Sequence, residues 1–311
     1  LARNLRKKEK EKADKMPALI DLRRRIKSVR NTQQITQAMK TVSTAKFKKA
    51  QRDVLQARPY WHTFPSLIHR TLLWDALDQH PLLEERDEGR ATLVIITSDK
   101  GLCGAFNSNL LTKAWEYCKE KSQTCDLKLV LMGKKAVTFF RRQSYFIERT
   151  YINKIHKIGD EDLRELALFL MQEYIYSKTD AVYVFYNEFR SILAPHITLI
   201  KLLPVEIHKK ENKPVQAAEE VHHGLRPDWE PLRESLLNVL IPKYFETQIK
   251  HFFSESIAAE HAARMMAMEN ATKNAEDLIE NLTLDLNKIR QASITKELLE
   301  IMTAVDALAK K

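Results

Sequence analysis

The residues best placed to do chemistry sit in one loop. Ser98-Asp99-Lys100-Gly101-Leu102-Cys103-Gly104 follows the short β-branched run Leu93-Val94-Ile95-Ile96-Thr97 and precedes a helical stretch from about Asn107 to Lys121. A glycine-bearing turn between strand and helix is where backbone amides cradle phosphate. This loop lacks the Gly-Lys-Ser/Thr ending of a P-loop and the three-glycine dinucleotide fingerprint. A structural strand-to-helix turn is therefore favoured, with nucleotide binding as the alternative. Asp99 has no second carboxylate or histidine nearby in sequence, so the case for general acid–base work there is weak.

Other reactive residue types are scattered. Cys103, Cys118 and Cys125 show no C-x-x-C spacing and no adjoining histidine, so neither a zinc site nor a disulfide framework is indicated and a reducing compartment fits best. His222-His223 fall in a Lys/Glu/Pro/His-rich stretch that offers no rigid face for a metal. Glu84, Glu85, Asp87 and Glu88 read as a solvated loop before the first strand.

The elements that must carry these residues differ between the middle and the ends. All six glycines lie between Gly89 and Gly224, whereas Ala18–Arg58 and Lys243–Lys311 contain neither glycine nor proline. Such stretches permit unbroken helices of about 60 and 100 Å at 1.5 Å per residue. Between them, strands are expected at 93–97, 127–132, 144–151, 181–186 and 197–203, with helices at 107–121 and 160–176. The acidic start Asp160-Glu161-Asp162 suits a helix N-terminus. Alternation of this kind predicts an open, Rossmann-like α/β sheet.

The fold class is thus α/β: a long antiparallel coiled coil of the N- and C-terminal helices plus a central open α/β domain. The expected organisation is an extension at 1–15, a long helix at 16–60, a linker and central domain at 61–204, a linker at 205–230 and a second long helix at 231–311. The two long helices must pair, because neither buries its apolar face alone. Met268, Ala275, Leu282 and Ile289 recur every seven residues, with Ala271, Leu278 and Ala292 on an adjacent seam that Asp285 interrupts. Leu22, Ile26, Val29, Ile35, Met39 and Val42 form the matching stripe.

The net charge of +10 is concentrated at one end. Residues 1–58 carry 18 Lys/Arg against 5 Asp/Glu, and no acidic residue lies between Leu22 and Arg52. The first helix therefore calls for an acidic partner. Only Phe47 interrupts the basic stretch, so the interleaved aromatics of a nucleic-acid binder are missing and an acidic protein is the better fit. No apolar run is long enough for a membrane span. Residues 1–15 read as a mixed-charge tail without the marks of a signal or transit peptide. Met16-Pro17 resembles a natural start, which makes the first 15 residues an upstream translation artefact or a disordered extension. Ile294 to Val305 ends in an apolar tip, which needs a covering surface.

Four segments carry a family resemblance. Ile20-Asp21-Leu22-Arg23-Arg24-Arg25-Ile26-Lys27-Ser28-Val29-Arg30-Asn31-Thr32-Gln33-Gln34-Ile35-Thr36-Gln37-Ala38-Met39-Lys40 resembles the start of the gamma subunit of F-type ATP synthases. Ser98 to Asn107 resembles that family's central loop, and Glu260-His261-Ala262-Ala263-Arg264-Met265-Met266-Ala267-Met268 and Arg290-Gln291-Ala292-Ser293-Ile294-Thr295 resemble its C-terminal signatures. The likeness spans about residues 16 to 308.

The resemblance implies a non-catalytic central-stalk rotor that transmits torque between a membrane ring of c subunits and a hexamer of alpha and beta subunits, in a 3:3:1 ratio with this chain. It also implies an epsilon-subunit partner and a place on the cytoplasmic face of a bacterial inner membrane, without a membrane span. No cofactor is implied on this chain, since ATP, ADP and Mg belong to the alpha and beta subunits. By position, Met39, Lys40, Arg264, Arg290, Gln291, Thr295 and Glu297 match residues at the rotor–hexamer contact. The cysteine-bearing insertion of chloroplast relatives has no counterpart, which argues against thiol control. Two other readings compete: a basic coiled-coil nucleic-acid binder and an enzyme built on the Asp99-Lys100-Gly101 loop.

Overall fold

The computed structural model describes residues 2–72, 80–153, 155, 158–191, 195–205 and 233–309. The elements run α1 (Ala2–Leu72), β1 (Arg90–Ile96), α2 (Phe106–Lys121), β2 (Asp126–Met132), α3 (Lys134–Phe140), β3 (Phe146–Tyr151), α4 (Asp160–Ile175), β4 (Ala181–Glu188), β5 (His196–Leu203) and α5 (Arg233–Ala309). His222-His223 and residues 206–230 of the expected linker lie outside the described residues.

Packing divides the chain into two units. One comprises the chain up to Val42 and from Met265 onward; the other is Ser43–Arg264. Each long helix contributes to both.

Among the described residues the second unit holds a five-stranded sheet in the order β3-β2-β1-β4-β5. β1 pairs in parallel with β2 and β4, and β2 with β3, while β5 runs antiparallel to β4. The reversal of strand order on either side of β1 makes this a doubly wound sheet. Strand β1 is buried on both faces, which is why it reads as an unbroken apolar run. Ala91, Leu93 and Ile95 pack with Leu110, Ala114 and Cys118 of α2 and Ala136, Val137 and Phe140 of α3. Val94 and Ile96 pack on the opposite face with Leu166, Leu170 and Tyr174 of α4 and Phe245, Ile249 and Phe252 of α5.

The boundaries of α1 depart from the sequence expectation. α1 begins before residue 16 and continues past Pro59 to Leu72. Residues 2–15 are rich in Lys, Glu, Arg and Ala, all good helix formers. Beyond Pro59 the helix is held by burial, as Trp61 meets His251 at 4.1 Å between ring centroids and Phe64 stacks on Tyr244 at 5.9 Å. α5, expected at 231–311, spans Arg233–Ala309 and runs through Pro242, whose neighbours Ile241 and Phe245 are fully buried. Tertiary packing outweighs the hydrogen bond that each proline removes. Helix α3, which the sequence reading missed, starts after Gly133 at φ 94°, where a Cβ would stand 2.4 Å from the Thr97 carbonyl oxygen. Only glycine fits that position.

Candidate functional site

In the first unit α1 and α5 pair antiparallel: Lys40 bonds Glu269 at 3.0 Å and Thr36 meets Thr272 at 2.8 Å, so numbers rise on one helix as they fall on the other. On α5, Met268, Ala275 and Leu282 are buried and Ile289 half-buried, as the heptad predicts. The companion seam is shifted by one residue from expectation. Thr272, Ile279, Leu286 and Ser293 are half-buried, whereas Leu278 and Ala292 are exposed and Ala271 is half-buried. On α1 the stripe is Leu22, Ile26, Val29, Gln33, Thr36 and Lys40, alternating in steps of four and three. Ile35 and Val42, expected on it, are 60% and 56% exposed. Polar Gln33 and Thr36 keep the heptad in phase, and counting only apolar residues slips off it.

The residues matched to the rotor–hexamer contact differ in their surroundings. Met39 is half-buried and Lys40 is ion-paired within the unit. Arg290, Gln291, Thr295 and Glu297 are exposed along α5, which leads to an apolar stretch in which Leu298, Leu299, Ile301, Met302 and Val305 are each more than half exposed. Arg23, Arg24, Arg25, Lys27 and Arg30 are exposed on α1. Arg264 is different: it belongs to the second unit and is buried.

In that unit the loop after β1 is braced by hydrogen bonds at Ser98 and Asp99. The Ser98 amide donates to Asn107 Oδ1 at 3.0 Å, and Asn107 Nδ2 donates to Ser98 Oγ at 2.8 Å. The Asp99 carboxylate accepts from the amides of Lys134, Asn153 and Ile155 at 2.9, 2.9 and 3.1 Å. The next amides of α3 are also committed, Lys135 to the Ser98 carbonyl and Ala136 to Thr97 Oγ1. The first three amides of α3 are thus spent on the chain's own oxygens, and Asp99 is a clip joining three segments.

α1 and α5 fill the crevice at the strand ends where a doubly wound sheet would admit a ligand. Glu255 accepts from the Phe189 amide at 2.8 Å and faces Arg58 at 3.6 Å, while Arg58 also donates to the Phe189 carbonyl. Burial raises the Glu255 carboxyl, against the opposing pull of these partners. Arg264 donates to the Lys100 and Gly101 carbonyls at 3.4 Å and pairs with Glu260 at 2.8 Å. Glu255 and Glu260 were missed in the sequence, where the four-residue step from Glu260 to Arg264 was the available sign.

Glu88, expected in a solvated loop, is instead gathered by Lys121, Lys201 and the Tyr183 hydroxyl. All three cysteines are buried and free, and burial raises each thiol, Cys118 to about 12. Among the described residues there is no cluster of His, Cys, Asp and Glu that would hold a metal ion, and no helix is long and apolar enough to cross a membrane.

A family model described as ATP synthase matches residues 18–308. ATP synthase gamma chains from Pelotomaculum thermopropionicum and Desulforudis audaxviator are 43% and 41% identical, each over 94% of this chain and 100% of the relative. The chain belongs to the ATP synthase gamma family. It is accordingly a central-stalk rotor subunit, part of a multi-subunit ATP synthase. The fold agrees: a chain from the Euglena gracilis mitochondrial ATP synthase superposes with TM-score 0.63 at 20% identity, over 94% of this chain and 95% of that one. A central-stalk chain from the Tetrahymena thermophila mitochondrial enzyme gives TM-score 0.57 at 22% identity, over 76% and 99%. The gamma-type subunit thus combines a helical pair with a doubly wound α/β unit.

Proposed function

We propose that this subunit carries torque between a proton-driven c-ring and an alpha–beta hexamer in a 3:3:1 complex and catalyses no reaction itself. The observation that carries this reading is the more than half-exposed apolar run from Leu298 to Val305 on α5, on a helix whose preceding residues Arg290, Gln291, Thr295 and Glu297 are also exposed. Apolar surface of that extent needs a sleeve, and the hexamer would supply one. The basic face of α1 would meet acidic loops of the beta subunits, with Met39 and Lys40 beside them. Arg264, being buried, would act on that contact only through the chain's own fold. The α/β unit would bind the epsilon subunit and the c-ring at the cytoplasmic face of a bacterial membrane. ATP, ADP and Mg would be held by the alpha and beta subunits.

The deciding experiment is co-expression with alpha and beta subunits, fixing the hexamer to a surface and attaching a bead to this chain. ATP-driven rotation is expected. A competent hexamer that forms and excludes this chain would overturn the proposal.

A further inference from the structure

Arg264 and Glu260 are 8% and 2% exposed, so both charges have been taken out of water. Such pairs contribute little net stability, and their attested use is to select one arrangement over its neighbours. The arrangement selected here is that of α5 against the β1–α2 loop. Arg264 Nε and Nη2 both reach the Gly101 carbonyl, and Nη2 also reaches that of Lys100, each at 3.4 Å. That loop is braced. Ser98 and Asn107 bond across it, Asp99 anchors its start, and Leu102 is held at φ 62°, a conformation that a leucine adopts only under constraint.

The grip has a counterpart on the same helix. Glu255 bonds the Phe189 amide just after β4. Nine residues separate Glu255 from Arg264, about two and a half turns, so the two side chains leave α5 on opposite sides. The apolar contacts of Phe245, Ile249 and Phe252 are non-directional and resist rotation of the helix poorly. Two directional hydrogen-bonded grips on opposite sides resist it in both senses.

We propose that Arg264, oriented by Glu260, is a positioning residue that fixes the rotation of α5 about its own axis against the sheet, so that twist in the helix enters the α/β unit through the β1–α2 loop. This rests on the rotor reading for its purpose, but not for its geometry.

Two measurements test it, each on Arg264→Gln, Arg264→Lys and the double variant Glu260→Gln/Arg264→Gln. The double variant leaves no orphaned buried charge and safeguards the test if the single one fails to fold. In the assembled complex, with the hexamer fixed and a bead on the α/β unit, the variance of angular fluctuation during a stall reports torsional compliance. It should rise about twofold or more in Arg264→Gln and the double variant, and partly in Arg264→Lys, whose point-like ammonium lacks the guanidinium fork. In the full chain, amide exchange from Gly101 to Phe106 should quicken about tenfold while that of β1 stays as in the parent. A folded double variant with parental compliance and parental loop exchange would overturn the proposal. If the parent complex does not rotate, the rotor reading falls, and loop exchange alone decides the grip: faster exchange upholds it, and parental exchange rejects it.

Discussion

The Thr272 hydroxyl on α5 lies 2.8 Å from that of Thr36 on α1, inside a seam where a coiled coil would ordinarily place leucine. Thr36 is 9% exposed, and the Lys40–Glu269 pair forms the next rung. Polar rungs set register at some cost in stability. Thr36→Val with Thr272→Val removes both hydroxyls together and should raise stability by up to about 1 kcal/mol in urea unfolding. A double variant less stable than the parent would show that the hydroxyl pair is a net stabiliser.

Leu282 is buried in the same pair. Leu282→Pro removes a helix hydrogen bond and kinks α5, costing about 3 kcal/mol or more. Helicity should fall in circular dichroism, and assembly with alpha and beta subunits should fail. Unchanged assembly would mean that the pair tolerates a bend at this level.

Asp99 clips together three segments through the amides of Lys134, Asn153 and Ile155. Asp99→Ala should cost about 3 kcal/mol, and Asp99→Asn, which keeps one acceptor oxygen, about half of that. Urea denaturation of both variants checks the order. Equal stability of Asp99→Ala and parent would reopen a chemical role for this carboxylate.

Glu88 gives the fold an acid dependence. Burial favours its neutral form, but hydrogen bonds from Lys121, Lys201 and Tyr183 outweigh burial and hold the carboxyl at about 2, below the usual 4.5. The unfolded chain takes up this proton first on acidification. The stability contributed is therefore complete above about pH 4.5 and is lost as pH falls toward 2. Glu88→Gln should lower stability by about 1–2 kcal/mol at pH 7, allowing for partial solvent exposure. The difference from the parent should close near pH 2. A difference constant with pH would assign the loss to packing instead.

Met39 is half-buried next to Lys40, which is already ion-paired to Glu269. Met39→Lys places a second cation there without emptying a core position. The chain should melt close to the parent, within about 1 kcal/mol, whereas proton pumping per ATP hydrolysed in the assembled enzyme should drop. Parental coupling in that variant would remove Met39 from the rotor–hexamer contact.

Much of the fold was legible because periodicity is local. Strands β1, β2 and β4 announce themselves as apolar runs, and Met268, Ala275 and Leu282 lie buried where a seven-residue repeat puts them. The second seam was misplaced by one residue because Ala271 and Thr272 both fit a step of three or four, and Asp285 was the sign of the wrong choice. Ile35 and Val42 misled for the opposite reason: they are apolar, yet the stripe passes through Gln33 and Thr36. The extent of α1 was hidden by Pro59, which local rules treat as a boundary and tertiary burial overrides. The roles of Asp99, Glu88 and Arg264 depend on partners up to 164 residues away, as in the Arg264 bond to the Lys100 carbonyl, and no window of sequence contains them.

The three cysteines have a practical corollary. With its thiol raised to about 12, Cys118 is about one part in 100,000 thiolate at neutral pH, and Cys103 and Cys125 are likewise buried and shifted upward. A cysteine introduced at an exposed position such as Ser108 on α2 would then outcompete all three for maleimide. The native chain can carry a single dye or bead at a chosen point without first being stripped of its own sulfur.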